Sequence, residues 1–328
     1  MHMPQHHFKC LIVGDPARNI QPEFDSSIRL AAEFLRRGWQ VDYCDLSTAD
    51  LELSPREYLS RLPAQRILEV NPNSTNFLRL DFSRPEPVTE YAVILQRKDP
   101  PVDESYRAHS RMFTAAPKSI LQINNPDQTW RYSEHALPAD YPKYGVPTYV
   151  CQTFDTFLKT VRRQDGECVV KPYDECSGNG IEFFQSDISE EKLREYWETR
   201  QPAVIVQPYL EEITCSGDLR ILVMNGKVLG SVMRVPRQGS RLANLHQGAT
   251  GRAHTPSAIQ LEACQVVGRD MAQKGLYLLG LDFIGDQLSE VNITCPSAMA
   301  QINKVMHKRI EIEVVNEIEA LRYRRRFI

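Results

Sequence analysis

Glu290 and Asn292 stand two residues apart in a run whose alternate positions are Val291 and Ile293. Successive side chains of a strand point to opposite faces, so this pattern puts an acid and an amide on one face and two apolar groups on the other. Asp, Glu and Asn are depleted in strands, and such a polar face needs a partner. The preceding run, Gly280–Ile284, carries Asp282. If a three-residue loop over 285–287 joins the two runs, Asp282 falls opposite Glu290 and three oxygen donors converge as a hard cation such as Mg²⁺ requires. A two-residue loop would turn Asp282 to the wrong face. The competing reading is a solvent-facing hairpin with one polar side.

Elsewhere the hydrophobic pattern switches between the strand and helix periods. Residues 8–14 form an apolar run ending at Gly14-Asp15-Pro16, a helical pattern runs from about Asp25-Ser26 to Gly38, Gln40–Leu46 alternates, and a third apolar run ends at Leu95. This predicts a small α/β layer with a parallel core, whose ligands sit beyond the carboxyl ends of the strands, in the loops after Gly14 and Leu95. After the strand-like Ser119–Ile123 the texture changes, and a domain boundary is expected near 125. Short β runs follow at 168–171, 181–184 and 203–207. Arg220–Met224 and Lys227–Val235 then flank Asn225-Gly226, a strong hairpin signal, so this part is expected to be mostly antiparallel. A helix is predicted over 256–274, capped by Thr255 and ended by Gly275, and a charged helix over 305–326. The closing arginines read as a solvated helix end or subunit contact in preference to a nucleic-acid arm.

The 328 residues suffice for about two domains. The 39 basic and 42 acidic residues leave a net charge of −3, which disfavours binding to nucleic acid or an anionic membrane. The 8 cysteines are scattered without a C-x-x-C pair, so reduced thiols are expected, with Cys176 and Cys295 in the loops of interest. No signal-peptide pattern or long apolar span is present, and a cytoplasmic location is expected.

Two further stretches suit a nucleotide. Lys171 leaves the apolar run 168–170 and is followed by a loop of small residues, Cys176-Ser177-Gly178-Asn179-Gly180, able to bring backbone N–H groups onto phosphate. Read alone, Gly178-Asn179-Gly180 is more often a hairpin turn. In Gln207-Pro208-Tyr209-Leu210 a proline interrupts a buried-looking strand and would free backbone groups for a purine edge. Asp218, Arg220 and Arg234 come next, then a loop with Arg237, Arg241 and Arg252, suited to carboxylates or phosphates.

In this order the motifs resemble the ATP-grasp ligases, and within them the prokaryotic glutathione synthetase family. Asp15-Pro16-x-x-Asn19-Ile20, Arg97-Lys98-Asp99-Pro100-Pro101-x-Asp103 and GLD-x-IGD-x-L-x-E-x-N-x-T-x-P at 280–296 carry the resemblance, which covers about residues 8 to 303. It implies an α/β ATP-grasp fold with an N-terminal α/β domain (1–124), a central lid subdomain (125–207) and a C-terminal antiparallel-sheet catalytic subdomain (208–328). It also implies an ATP- and Mg²⁺-dependent carboxylate–amine ligase working through an acyl phosphate, with Mn²⁺ as a substitute. γ-Glutamylcysteine and glycine, or a related small peptide and amine, would be the substrates, and a homodimer or homotetramer the assembly. By position, Lys171, Ser177, Gly178, Gly180, Gln207, Tyr209, Leu210, Asp218 and His135 would bind the nucleotide. Arg220 and Arg234 would act on the transferring phosphoryl group, Asp15, Arg97, Lys98, Arg241, Asn244 and Arg252 would hold substrate, and Asp282, Glu290 and Asn292 the metal. On this reading, Asp282→Ala or Glu290→Ala ends turnover with the fold intact.

Three stretches depart from the family pattern. Ser133-Glu134-His135 replaces N-E-K, the lid reads Asp174-Glu175-Cys176-Ser177-Gly178-Asn179-Gly180 in place of D-G-x-G-G-x-G, with Glu175 and Ser177 where glycines are usual, and Leu242–Gly251 lacks two arginines in register. They motivate an alternative, a nucleotide-binding paralogue with little or no ligase activity.

Overall fold

The computed structural model describes residues 8–48, 61–114, 116–173, 180–199, 203–237, 239–241, 243 and 248–325. Among these the strands form three sheets. The first contains β1 (Lys9–Gly14), β2 (Gln40–Asp45), β3 (Arg61–Val70), β4 (Leu78–Pro87), β5 (Val93–Gln96) and β6 (Leu121–Ile123), in the order β4-β3-β2-β1-β5-β6. The pairs β1–β2, β1–β5 and β5–β6 are parallel, as the alternation predicted, while β3 and β4 add an antiparallel edge. That hairpin was not anticipated, although Leu78-Arg79-Leu80-Asp81-Phe82 alternates apolar and polar residues after the turn-rich Asn71-Pro72-Asn73-Ser74. Pro63 pairs with Pro85, and charged side chains punctuate both strands, which an edge tolerates and a core strand does not. α1 (Ser27–Arg36) and α2 (Glu104–Thr114) belong to this layer.

The second sheet is antiparallel, in the order β7 (Tyr149–Cys151), β10 (Val204–Pro208), β8 (Glu167–Pro172), β9 (Glu182–Gln185). α4 (Phe154–Arg162) and α5 (Glu190–Thr199) complete its core, where the Phe157 ring stacks on Trp197 at 5.7 Å. The segment before β7 packs elsewhere. After α3 (Pro126–Thr129), Leu137, Tyr141 and Tyr144 enter the core of the third sheet, and the Val146 N–H donates to the Leu288 carbonyl at 2.9 Å.

The third sheet follows the short α6 (Glu212–Cys215) and runs β13 (Thr250–Arg252), β12 (Lys227–Val235), β11 (Asp218–Met224), β14 (Leu278–Ile284), β15 (Gln287–Asn292), all antiparallel. α7 (Ala258–Gln273) covers one face, burying Leu219, Ile221, Leu281, Phe283 and Val291 beneath Ala263, Val267 and Met271. Its cap is Ser257, two residues past the expected Thr255. The Ser257 side chain accepts from the Gln260 N–H at 3.3 Å, and the Gln260 carboxamide accepts from the Ser257 N–H at 2.8 Å. These two side chains also donate to the β14–β15 turn, Ser257 to Asp286 and Gln260 to the Gly285 carbonyl, both at 2.7 Å. Ser257→Ala should therefore cost about 1 kcal/mol of stability, measured as a lowered urea midpoint at unchanged slope.

The predicted helix over 305–326 is two helices, α8 (Met299–Met306) and α9 (Ile310–Arg325), broken where His307 takes a left-handed conformation at φ 52°. Far from being a solvated rod, α9 buries Ile310, Val314, Val315 and Ile318 in a core shared with Phe34 and Val41 of the first layer and with Leu222 and Val232 of the third sheet. Its terminal arginines turn inward. Arg322 lies over the Phe8 ring at 3.5 Å, Arg324 meets Glu317 at 3.0 Å, and Arg325 donates to the Ile120 carbonyl at 3.1 Å. None of the helices among the described residues is long and apolar enough to cross a membrane.

Candidate active site

The register of the third sheet lays out a polar row across four strands. Asp218 of β11 lies opposite Arg234 of β12, and Arg220 opposite Asp282 of β14. Asp282 in turn lies opposite Glu290 of β15, and Gly280 opposite Asn292. With a side-chain period of two, these polar groups share one face, and α7 covers the other. The β14–β15 turn is not the three-residue loop expected. Ile284 pairs with Gln287, leaving the two-residue turn Gly285-Asp286. Asp282 still faces Glu290 because the register shifts between Asp282 and Phe283. Phe283 pairs with Leu288, and Ser289 is the extra residue of a β-bulge. The bulge restores the parity that the short turn would have broken.

Asp282 is the hub of the row. It accepts from both Nε and Nη2 of Arg220, the latter at 2.7 Å, from Arg234 Nη2 at 2.9 Å and from Asn292 Nδ2 at 3.3 Å. Arg234 also pairs with Asp218. Gly280 admits this arrangement, because a Cβ there would come within 3.2 Å of the Arg220 side chain. Burial by itself would raise the Asp282 pKa, but the two guanidinium groups outweigh it and hold the carboxyl below its ordinary range. Asp218, buried and less fully compensated, is pushed up to about 7.

The donor set fits a magnesium ion. Mg²⁺ is usually held by one or two carboxylates together with substrate phosphates, without an all-protein cage. Asp282 and Glu290 provide two carboxylates. Asn292 spends its NH₂ on Asp282 and on the Gly280 carbonyl, which leaves its amide oxygen to donate. The described residues contain no cluster of three His, Cys, Asp or Glu side chains in ligating geometry. In the same cavity, Asp218 Oδ1 and Arg234 Nε are buried without a partner, polar capacity that a ligand would satisfy.

The cavity extends from this row to the second sheet, reaching Lys171, Gln207, Tyr209 and Leu210. Lys171 is buried, and burial lowers its pKa against the pull of Glu290, Asp218 and Asp282. The predicted freeing of the backbone at Pro208 does not occur at Tyr209, whose N–H donates to the Glu167 carbonyl at 3.0 Å and continues the ladder past the proline. The Gln207 carboxamide is likewise committed, donating to Thr148 Oγ1 at 3.0 Å. His135 lies between the second and third sheets, with Nδ1 3.1 Å from the Pro172 carbonyl and Nε2 3.7 Å from Glu290. Burial keeps this imidazole below its ordinary 6.5.

At the carboxyl ends of β1 and β5, Asp15 accepts from Lys98 Nζ at 2.5 Å and from the Asp99 N–H at 2.9 Å. Arg97 is buried, donating to Ser27 Oγ at 3.1 Å and to the Pro296 carbonyl at 3.0 Å, and its Nη1 is buried with no partner. Asp15, Arg97 and Asp99, though not Lys98, border a cavity of about 350 Å³ that shares Phe24, Asp99, Cys295 and Ser297 with the first. The two other arginines expected at substrate are placed away from this group. Arg241 pairs with Glu167 and lies over the Phe183 and Tyr209 rings at 4.0 and 4.2 Å, at the second-sheet end of the cavity. Arg252, exposed on β13, donates to the Ser216 carbonyl at 3.0 Å. Gly180 has φ 67° and accepts from the Tyr196 hydroxyl at 2.9 Å, while Ser177, Gly178 and Asn244 lie outside the described residues, as does Cys176.

Glu134 was missed as a site residue. It lines the cavity and accepts from the N–H groups of Ile293 at 2.6 Å and Thr294 at 2.8 Å and from the Thr294 hydroxyl at 2.9 Å. Burial, reinforced by Glu290, pushes its carboxyl up to about 7. Its position in the altered 133–135 motif was the available signal. Among the described residues the cysteines are free thiols.

Residues 8–129 match the family model for the prokaryotic glutathione synthetase N-terminal domain, and residues 134–307 the model for its ATP-grasp domain. The chain is 28% identical to a glutathione synthetase of Vibrio parahaemolyticus, covering 94% of this chain and 96% of that one. It is 30% identical to one of Yersinia pestis, covering 89% and 90%. In fold it is similar to D-cycloserine synthetase DcsG, with a TM-score of 0.65 at 16% identity over 96% of this chain and 99% of the other. It is also similar to a RimK domain ATP-grasp protein of Sphaerobacter thermophilus, with a TM-score of 0.58 at 14% identity over 94% and 98%.

Proposed function

Because the chain belongs to the prokaryotic glutathione synthetase family and is an ATP-grasp ligase, we propose that it joins the carboxylate of a γ-glutamyl peptide to the amine of glycine or a related small amine. The observation that carries this reading is the polar row of Asp218, Arg220, Arg234, Asp282, Glu290 and Asn292, facing a cavity that also reaches Lys171. In the proposed reaction the substrate carboxylate attacks the γ-phosphorus of ATP, releasing ADP and forming an acyl phosphate. The amine then displaces phosphate to leave the amide. Such chemistry depends on positioning and charge neutralisation, so no protein nucleophile is needed.

The residues divide by reach. Lys171, Arg220 and Arg234 would neutralise the phosphates, Leu210 and the neighbouring Tyr209 would pack on the base, and Asp218 would meet the ribose. Asp282, Glu290 and Asn292 would hold Mg²⁺, which when bound offsets phosphate charge and orients the transferring group. Asp15, Arg97 and Lys98 would bind the peptide, Arg97 through the unpartnered Nη1. His135 stands where a second lysine would face phosphate, and a neutral imidazole there can still donate one hydrogen bond. We take the functional units to be 1–124, 125–207 and 208–328, although the stretch before β7 packs on the third sheet.

The test is phosphate release from ATP with a panel of γ-glutamyl peptides and amines, with Mg²⁺ and with EDTA. Release that needs both an acceptor pair and the cation is expected. ATP binding with no release from any pair would instead favour the nucleotide-binding paralogue.

A further inference from the structure

A third and larger opening, a groove, lies beside the active-site cavity. It has a volume of about 1260 Å³ and shares Phe24 and Gln301 with the cavity, so the two adjoin at these residues. One wall is cationic, formed by Arg29, Lys304, Lys308 and Arg309. Arg309 is neutralised by Glu33 and Glu311, at 3.5 and 3.0 Å. Arg29, Lys304 and Lys308 have no ion pair among the described residues, and the remaining acid in the groove is Glu23. The groove is therefore net positive in a chain whose overall charge is −3.

Three features suit an extended peptide. β13 is the edge strand of its sheet, its residues are exposed, and Thr250 and Gly251 border the groove, so an incoming backbone can pair along it. Gln301 donates through Nε2 to the Glu23 carbonyl at 3.1 Å, which fixes its carboxamide and leaves Oε1 buried without a donor. That oxygen, at the junction of groove and cavity, calls for an N–H such as a peptide amide supplies. Arg29 Nε is also buried and unpartnered, a donor awaiting an acceptor. Meanwhile Arg241 and Arg252 are engaged by Glu167 and Ser216.

We propose that this groove binds an acidic, extended peptide, so that the ligase acts on a substrate with several carboxylates beyond its reacting end. The substrate part of this inference rests on the ligase reading; the binding part does not. The experiment compares fluorescein-labelled tetraglutamate and tetraglutamine by anisotropy on the full chain. About tenfold tighter binding of tetraglutamate is expected, weakening with salt. The double variant Lys304→Glu/Lys308→Glu, at two exposed positions, should lose that preference while binding ATP as the parent does. Equal binding of the two peptides, binding of neither, or a preference that survives the charge reversal would overturn the proposal. So would tetradeoxythymidylate binding as tightly as tetraglutamate. Phosphate release on the same preparations reports separately on the ligase reading, and its absence beside a retained peptide preference removes that reading and leaves the acidic-peptide site.

Discussion

Glu290→Gln should lower substrate-dependent phosphate release by at least about 100-fold and leave the unfolding midpoint near that of the parent, whereas Asp282→Ala should lose both activity and stability. The two carboxylates face each other across the β14–β15 pair but differ in what else they hold. Glu290 is partly exposed, and its side-chain contact with a basic residue among the described residues is the His135 imidazole at 3.7 Å, which burial keeps neutral. Removing its charge takes away a cation ligand and little folded-state energy. Asp282 compensates Arg220 and Arg234, which are buried beside it. Its loss leaves guanidinium charge buried and under-compensated, at a cost of about 3–5 kcal/mol. The ion-pair network thus leads to a different expectation from the sequence reading, in which the fold survives Asp282→Ala. Denaturant unfolding of both variants, with phosphate release at saturating ATP and Mg²⁺, checks the pair. Equal stability loss in both would show that the network is not centred on Asp282.

Glu134→Gln should make the protein more stable than the parent above pH 7 and similar to it near pH 4. The Glu134 carboxyl is raised from the ordinary 4.5 to about 7 by burial and by Glu290. A raised carboxyl binds its proton more tightly in the folded state, so its contribution is fully present below pH 4.5 and is lost as pH rises through 7. The difference of about 2.5 units corresponds to about 3 kcal/mol. Gln is neutral at every pH and keeps an oxygen to accept from Ile293 and Thr294. Urea unfolding of parent and variant from pH 4 to 8 in EDTA should give curves that meet at low pH and separate above pH 5. A constant offset would show that Glu134 does not titrate in this range.

Legibility from the sequence tracked how local each cause was. Buried parallel strands such as β1 read as apolar runs, and Gly275 marked the end of α7, because burial and a left-handed turn leave direct residue signatures. The pairing of Asp282 with Glu290 was also foreseen, but through the wrong turn. Parity was kept by a bulge at Ser289, a residue whose side chain gives no hint of it. The β3–β4 hairpin was missed although β4 alternates, because two register shifts in β3 and the prolines Pro63 and Pro85 break the pattern of the pair. The break at His307 was missed because nothing in the local pattern shows that α9 packs in a core shared by the first layer and the third sheet.

By itself, then, the sequence determined the family, the order of the motifs and the chemistry that their side chains can do, since these depend on residue type and spacing. The tertiary structure alone decided which of those groups meet. It set Asp282 between two arginines, drew Glu134 into the same cavity, turned Arg241 onto Glu167 and opened a basic groove beside Gln301. Each of these contacts joins residues far apart along the chain. Their energies depend on burial and on the sign of neighbouring charges, which are properties of the packed molecule and not of any segment of it.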